Sequence, residues 1–201
     1  MELKRKSLLK KHKVVVTRIK DILDKGFYLA GGTAVYYYLN HRHSIGLDFF
    51  INEKIDFREL YPFFQPEEIK FLSKDTIHAE IENVNVSFFQ YLYPLLNPLR
   101  SLDLIKIASL EDILCMKINA IISRGSRKDF VDVYFIMNFL EIDSEKAIEL
   151  FRKKFGNYDE LVIKKAVTYF EDTEKEPEFP MIKKIEWGEI KKFFIREFAK
   201  I

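Results

Sequence analysis

The apolar positions change their spacing close to the middle of the chain. Before Leu110 they form short runs bounded by turn residues, which predicts strands; from Leu110 onward they recur every three or four residues, which predicts helices. The predicted strands cover residues 27–30, 47–51, 75–81, 84–92 and 103–107. The predicted helices cover residues 3–24, 34–39, 56–64, 110–123, 127–140, 144–155, 159–171 and 184–200, and residues 172–182 are predicted to form an exposed loop. Strands followed by helices indicate an α+β (mixed α/β) fold.

The two parts of this pattern predict one compact unit. Residues 1–109 are expected to form a sheet with an N-terminal helix, and residues 110–201 a helical half packed on that sheet.

The composition narrows the class of protein. Hydrophobic residues make up 48% of the 201 residues and charged residues 32%, which allows a large core and argues against disorder. The net charge of +2 is too balanced to indicate nucleic-acid binding without a local basic patch. Cys115 is the only cysteine, which excludes a disulfide framework and a cysteine-based zinc site. No apolar run is long enough for a signal peptide or a membrane span, so we expect a cytoplasmic protein that does not bind membranes.

A glycine pair, Gly31-Gly32, lies between a predicted buried strand and a predicted helix and is followed by Thr33. Such a turn lets backbone N–H groups approach an anion at a helix N-terminus, with the Thr33 hydroxyl as a further donor. The same residues are also typical of a tight turn with no ligand.

The segment His41–Phe50 makes the ligand-binding interpretation more specific. Gly-Gly-Thr, a helix, an Arg-x-Ser stretch and then Asp-Leu-Asp-Phe-Phe are typical of the nucleotidyl transferase AbiEii/AbiGii toxin family, and this chain resembles that family. The matching residues are Gly31, Gly32, Thr33, Arg42, Ser44, Leu47, Asp48, Phe49 and Phe50. The resemblance implies a fold like that of DNA polymerase β and its relatives, with a small mixed sheet flanked by helices. It also implies that Gly31 to Thr33, Arg42 and Ser44 contact a nucleotide.

The chain departs from the family at Gly46, where the first aspartate of the motif is missing. Residues i and i+2 of a strand face the same way, and two carboxylates at that spacing can hold a pair of Mg²⁺ ions. Asp48 alone is expected to hold one Mg²⁺ loosely, with waters and phosphate oxygens completing its shell. His41 and His43 are either further metal ligands or part of a polar loop before the strand, and the loop is the simpler interpretation.

A second departure lies at Ser87, where the resemblance implies a third aspartate on a neighbouring strand. A neutral hydroxyl is a poor ligand for a hard divalent cation. His78, Glu80 and Glu82 alternate along the adjacent predicted strand and therefore share one face, which is either a substitute metal site or the solvated face of a hairpin. The solvated face is the simpler interpretation.

Lys117 lies in the middle of an apolar helical stripe, and Asp132 is the only charged residue between Phe130 and Leu140. A buried charge is costly unless it is paired, so we predict that Lys117 and Asp132 pair across two packed helices. Ser126 with Asp129 three residues later predicts a capping box at the start of the second helix.

This region carries the second resemblance to the family, a Met-Lys-x-x-Ala segment followed by Arg-Gly-x-Arg-Lys-Asp-x-x-Asp. The matching residues are Met116, Lys117, Ala120, Arg124, Gly125, Arg127, Lys128, Asp129 and Asp132. The resemblance implies that Lys117 contacts the nucleotide phosphates and that Asp132 orients Lys117 or assists proton transfer. A purely structural ion pair is the alternative. Arg124, Arg127 and Lys128 cluster near a helix N-terminus, where they would contact phosphate or an RNA backbone, or would form a solvated basic turn.

Two functions are consistent with these residues. By resemblance, the chain would be an enzyme that transfers a nucleoside monophosphate from an NTP to a hydroxyl of tRNA or another RNA, as the toxin partner of an antitoxin protein. In that case Asp48, Lys117 and Asp132 would be its catalytic residues. Alternatively, with Gly46 and Ser87 in place of two carboxylates, it would be a catalytically impaired nucleotide- or RNA-binding module that acts through a partner.

Overall fold

A mixed sheet forms the centre of the N-terminal half in the computed structural model, which describes residues 4, 7–156 and 158–199. Its seven strands are β1 (Tyr28–Ala30), β2 (Leu47–Ile51), β3 (Ile69–Leu72), β4 (Thr76–Ile81), β5 (Val84–Gln90), β6 (Arg100–Leu102) and β7 (Ile105–Ile107). They are ordered β3-β4-β5-β2-β1-β7-β6. The pairs β2/β5 and β1/β7 are parallel, and the other neighbours are antiparallel. The predicted mixed sheet is confirmed.

Two strands differ from the prediction. Strand β3 was not expected, because its residues are mostly exposed at the edge of the sheet and show no clear alternation. The single strand predicted over residues 103–107 is a hairpin of β6 and β7, which reverses at Asp103 with a φ of +52°.

The helices before the sheet are shorter than predicted. The helix expected over residues 3–24 is two helices, α1 (Lys10–Arg18) and α2 (Lys20–Leu23), interrupted at Ile19, and its first residues lie partly outside the described chain. Helix α3 (Gly31–Leu39) begins at the glycine pair instead of after it, and a 3-10 helix occupies Phe57–Phe63.

Six helices follow in the described C-terminal half: α4 (Leu110–Arg124), α5 (Arg127–Leu140), α6 (Ser144–Phe155), α7 (Glu160–Val167), α8 (Glu171–Glu174) and α9 (Trp187–Phe198). The helix predicted over residues 159–171 ends at Val167, and the prediction of a loop over residues 172–182 is wrong at its start, where α8 lies. The predicted capping box is wrong, because the Ser126 hydroxyl donates to Glu176 Oε2 at 3.1 Å and Asp129 forms ion pairs instead. None of the described helices is long and apolar enough to cross a bilayer.

A buried ion pair joins α4 to α6 and fixes the loop after β5. Lys154 Nζ lies 2.7 Å from Asp112 Oδ1, and both side chains are fully buried. Lys154 also donates to the Pro94 carbonyl at 2.7 Å, and Asp112 accepts from the backbone N–H of Leu96 at 2.9 Å. This pair was not predicted, since nothing in the spacing of residues 112 and 154 indicates that their helices meet. The ion pair fixes the loop after β5, which begins with Tyr91, one of the residues that line the cavity described below.

Candidate functional site

Asp132 is the centre of a buried charge cluster behind the sheet. Its carboxylate accepts hydrogen bonds from His41 Nε2, Arg42 Nε and Arg42 Nη2, each at 2.7 Å. Lys117 Nζ lies 2.7 Å from its second oxygen, which confirms the predicted pairing of Lys117 with Asp132. His41 was not predicted as a partner of Asp132. It lies in the loop before β2, which agrees with its interpretation as part of that loop, but its ring is fully buried. His43 is exposed, as that interpretation requires.

The protonation of this cluster follows from its contacts. Burial by itself would raise the pKa of Asp132, but the charges of Lys117 and Arg42 hold it well below its ordinary range. Burial lowers the pKa of His41 in spite of its bond to Asp132. The other ring nitrogen of His41, Nδ1, is buried and has no hydrogen-bond partner among the described residues, as expected of a neutral imidazole that carries its proton on Nε2. Asp132 is therefore ionised and His41 neutral at pH 7.

Lys117 connects this cluster to a second carboxylate. Its ammonium donates to Asp129 Oδ1 at 2.8 Å as well as pairing with Asp132. Asp129 also pairs with Arg124 Nε at 2.9 Å, and the Arg124 side chain remains 65% exposed. Two of the three ammonium protons of Lys117 are thus used by buried carboxylates, which fixes where the ammonium points.

Lys117 and Arg124 line a cavity of about 310 Å³ between the sheet and α4. One wall is aromatic and includes Phe50 and Phe89, whose rings stack with centroids 5.0 Å apart, and Tyr91. The other lining residues are Gly31, Asp48, Gln90, Met116, Asn119 and Ala120. An aromatic wall in the same cavity as two cations, Lys117 and Arg124, suits a ligand with an aromatic ring and an anionic group.

The glycine pair allows Asp48 and Arg42 to approach the start of α3. A Cβ on Gly31 would lie 2.7 Å from Asp48 Oδ2, and the φ of Gly31 is +69°, which disfavours other residues. A Cβ on Gly32 would collide with the Arg42 guanidinium. Both glycines are therefore needed for close packing here, whether or not an anion binds.

Asp48, Ser87 and His78 form a row across three neighbouring strands. Asp48 on β2 lies opposite Ser87 on β5, which in turn lies opposite His78 on β4. His78 Nδ1 is 3.0 Å from Ser87 Oγ. Glu80, on the same strand as His78, and Glu82, in the turn after that strand, are both exposed, as the interpretation of a solvated face requires. The contact between His78 and Ser87 was not predicted, because it depends on the register of the hairpin.

The donor set does not fit a pair of metal ions. In the described part of the chain, no three His, Cys, Asp or Glu side chains are close enough to hold a cation. Asp48 is the only carboxylate that lines the cavity. Burial raises the pKa of Asp48 and outweighs the opposing effect of the nearby Lys117 charge. These residues fit at most one divalent ion, with most of its ligands supplied by water or a bound phosphate.

Several residues expected at the site lie away from the cavity. Thr33 is fully buried, and its hydroxyl contacts Ser44 Oγ at 2.9 Å and donates to the Gly46 carbonyl. Arg42 is occupied by Asp132 and covered by the Phe179 ring, 5.8 Å from its guanidinium carbon. In their observed positions these three side chains, Thr33, Ser44 and Arg42, support the turn and the buried cluster.

The basic turn is divided between two faces. Arg124 reaches the cavity, whereas Arg127 packs over the Trp187 ring at 5.1 Å and donates to the Thr173 carbonyl at 2.9 Å. Lys128 lies 5.6 Å from the Phe179 ring centroid. Arg127 therefore contacts α8 and α9, and Lys128 contacts the segment between these two helices. Neither lines the cavity with Arg124.

The same segment closes over the buried cluster. Its Pro180 carbonyl accepts from the His43 N–H at 3.2 Å, and the N–H groups of Ile182 and Lys183 donate to the His41 carbonyl at 2.9 Å. The C-terminal residues, which lie beyond the two motifs, thus hold His41 and Arg42 against Asp132.

Comparisons with known proteins agree with this architecture. The family described as nucleotidyl transferase AbiEii toxin, type IV TA system, matches residues 84–200. The uncharacterized protein aq_aa25 of Aquifex aeolicus (strain VF5) is 39% identical over 180 residues, which are 85% of either chain. Two crystal structures from Helicobacter pylori share the fold. JHP933 has a TM-score of 0.55 and 15% identity over 96% of this chain and 92% of its own. A candidate nucleotidyltransferase has a TM-score of 0.53 and 16% identity over 96% of this chain and 95% of its own.

The family match covers more than half of the chain, including α4 with Lys117 and α5 with Asp129 and Asp132. The chain therefore belongs to the AbiEii nucleotidyl transferase toxin family, whose members are toxins of type IV toxin–antitoxin systems.

Proposed function

We propose that the chain binds an NTP in the cavity beside Lys117 and transfers its nucleoside monophosphate to a hydroxyl of tRNA or another RNA. The observation that carries this proposal is the convergence of Asp48, Lys117 and Arg124 on one cavity that also has an aromatic wall. Family membership supports nucleotidyl transfer in general, and the choice of NTP and RNA as substrates is the proposed part.

Each side of the cavity has a role in this proposal. The aromatic rings of Phe50, Phe89 and Tyr91 stack against the base, because stacking tolerates any nucleobase. Lys117 and Arg124 offset the charge of the phosphates, and phosphoryl transfer depends mostly on such positioning and electrostatics.

Asp132 acts as a positioning residue in this scheme. It lies behind Lys117 and accepts from Arg42 and His41, so it fixes the ammonium without touching the nucleotide. Because Asp132 and Asp129 take two of the ammonium protons, Lys117 keeps one donor for a phosphate oxygen.

A single Mg²⁺ is part of the proposal. Asp48 would hold it, and the ion would supply charge neutralisation at the triphosphate. Binding of such an ion would also stabilise the ionised form of Asp48, which burial disfavours in its absence.

The alternative is a nucleotide- or RNA-binding module without fast chemistry, which acts through a partner such as an antitoxin. It is favoured by Gly46 and Ser87, which give the two strands no second or third carboxylate. Position 46 can accept one, because a Cβ there meets no atom closer than the Asn85 carbonyl at 3.4 Å.

Incorporation of labelled NTP into total tRNA, with Mg²⁺ or Mn²⁺, tests both functions. The enzyme is supported if the wild type labels RNA and Asp48→Ala does not, while Glu80→Ala, on an exposed neighbouring strand position, labels normally. The module is supported if the wild type is inactive and the double change Gly46→Asp with Ser87→Asp restores labelling. An NTP-induced rise in melting temperature that persists in EDTA would show binding without a metal.

A further inference from the structure

Ser87 is placed between a cavity carboxylate and a base. It faces the same side of β5 as Phe89, two residues later, and its strand neighbour Asp48 also lines the cavity. Ser87 is half-buried and does not itself line the cavity, but it lies beside Asp48, which does.

The His78 ring is held beside Ser87 by two aromatic contacts. It packs between the Phe71 ring and the Phe89 ring, with both centroid distances 5.5 Å, and its Nδ1 lies 3.0 Å from Ser87 Oγ. A hydroxyl within hydrogen-bond reach of a base that is itself oriented by other groups is the arrangement of an activated nucleophile.

We propose that Ser87 is itself an acceptor, so that the protein transfers a nucleoside monophosphate from a bound NTP to its own Ser87 hydroxyl. This inference rests on the proposed NTP site. It assigns a covalent modification site on β5 and a proton acceptor, His78, on β4.

Ser87 Oγ forms a bond to the α-phosphorus of the NTP, and the bond from that phosphorus to the oxygen bridging to the β-phosphate breaks. Its electron pair leaves with pyrophosphate. The hydroxyl proton passes to Nδ1 of His78 in its Nε2–H tautomer, across the 3.0 Å contact. The product is a phosphodiester between Ser87 and the nucleoside.

Self-modification would also limit the protein's own activity. The added group would occupy the cavity edge beside Asp48 and Phe89, where the next NTP has to bind. Each chain would therefore accept one nucleotidyl group and then lose its capacity to bind an NTP.

The test uses the full chain with each α-labelled NTP and Mg²⁺ or Mn²⁺, without RNA, followed by intact-mass measurement and peptide mapping. We expect a mass increase of one nucleoside monophosphate on the peptide that contains Ser87. Ser87→Ala should abolish it, whereas Ser101→Ala, at an exposed position on β6 near the far edge of the sheet, should not. Ser87→Thr, which keeps a hydroxyl, should retain labelling and shows that loss in Ser87→Ala is not a folding defect.

The variant His78→Asn tests whether His78 accepts the proton or only supports the position of Ser87. Asparagine can keep a hydrogen bond to Ser87 but cannot take the proton, so self-labelling should slow by about 10²- to 10⁴-fold while the melting temperature stays close to that of the wild type. An unchanged rate would overturn the role of His78.

The outcomes also distinguish this inference from the proposed function. RNA labelling without any label on the chain, or label on another residue, overturns self-modification alone. If an α,β-methylene NTP analogue produces no rise in melting temperature and nothing is labelled, both proposals fail.

Discussion

His41 Nε2 donates a hydrogen bond of 2.7 Å to Asp132 Oδ1, and the two residues are 91 positions apart in the chain. The contact connects the segment before β2 to the middle of α5. This hydrogen bond joins the sheet, which carries Asp48, to helix α5, whose Asp132 pairs with Lys117. Both therefore belong to one buried cluster.

This contact predicts how stability depends on pH. Burial lowers the pKa of His41 below its ordinary value of 6.5, so the unfolded chain binds a proton on His41 at a higher pH than the folded chain does. The free energy of unfolding should therefore fall as pH decreases below about 6.5. In His41→Gln, which keeps a donor to Asp132, this decrease should be smaller. Urea unfolding from pH 5 to 8 measures it, and exposed His43→Gln should leave the wild-type slope unchanged.

The Asp112–Lys154 pair predicts that replacing Lys154 lowers stability much more than replacing its neighbour Lys153. Lys154→Met leaves the buried Asp112 without its counter-charge and should destabilise the protein by about 3–5 kcal/mol. The adjacent Lys153 is exposed, so Lys153→Met should change stability by no more than about 0.5 kcal/mol. Equal effects in urea unfolding would contradict a structural role for the pair.

Asp48 is expected to destabilise the metal-free protein. Because burial raises its folded-state pKa above the ordinary 3.8, the folded chain holds this proton to higher pH, and stability is lost as pH rises through that raised pKa. Asp48→Asn should therefore melt at a higher temperature than the wild type at pH 7 to 8 in EDTA, by a margin that shrinks as the pH is lowered through the raised pKa of Asp48.

Divalent ions should make the wild type melt at a higher temperature than Asp48→Asn. Mg²⁺ or Mn²⁺ should raise the melting temperature of the wild type and not that of Asp48→Asn, since ligand binding stabilises only the chain that binds it. A wild type that does not respond to either ion, with or without an NTP, would count against Asp48 as a metal ligand.

Gly31 and Gly46 should respond differently to alanine. Gly31→Ala forces a side chain at φ +69°, which costs roughly 1–2 kcal/mol, and places its Cβ against Asp48 Oδ2. Gly46→Ala meets no atom closer than 3.4 Å and should remain within about 1 kcal/mol of the wild type. The comparison requires urea unfolding of both variants and an NTP-induced melting shift, which should be weaker in Gly31→Ala because Asp48 is displaced. Equal loss of stability would mean that the close approach of Asp48 to Gly31 is not maintained in solution.

The sequence by itself determined the class of fold, the main elements and one half of the site. The switch in apolar period marked where the sheet gives way to helices, because burial of one face repeats every two residues in a strand and every three to four in a helix. The helical pattern also showed that Lys117 and Asp132 are isolated charges among apolar residues. A buried charge is costly unless it is paired, so their pairing could be predicted.

The tertiary structure decided which further groups join them. His41 and Arg42 reach Asp132, Lys154 reaches Asp112, and His78 reaches Ser87 only because strand register and helix packing bring distant segments together. Local spacing records whether a position is buried but carries no information about which distant residue lies opposite. For the same reason, a basic turn that looks like one cluster in the sequence is divided by the fold between the cavity and the C-terminal segment.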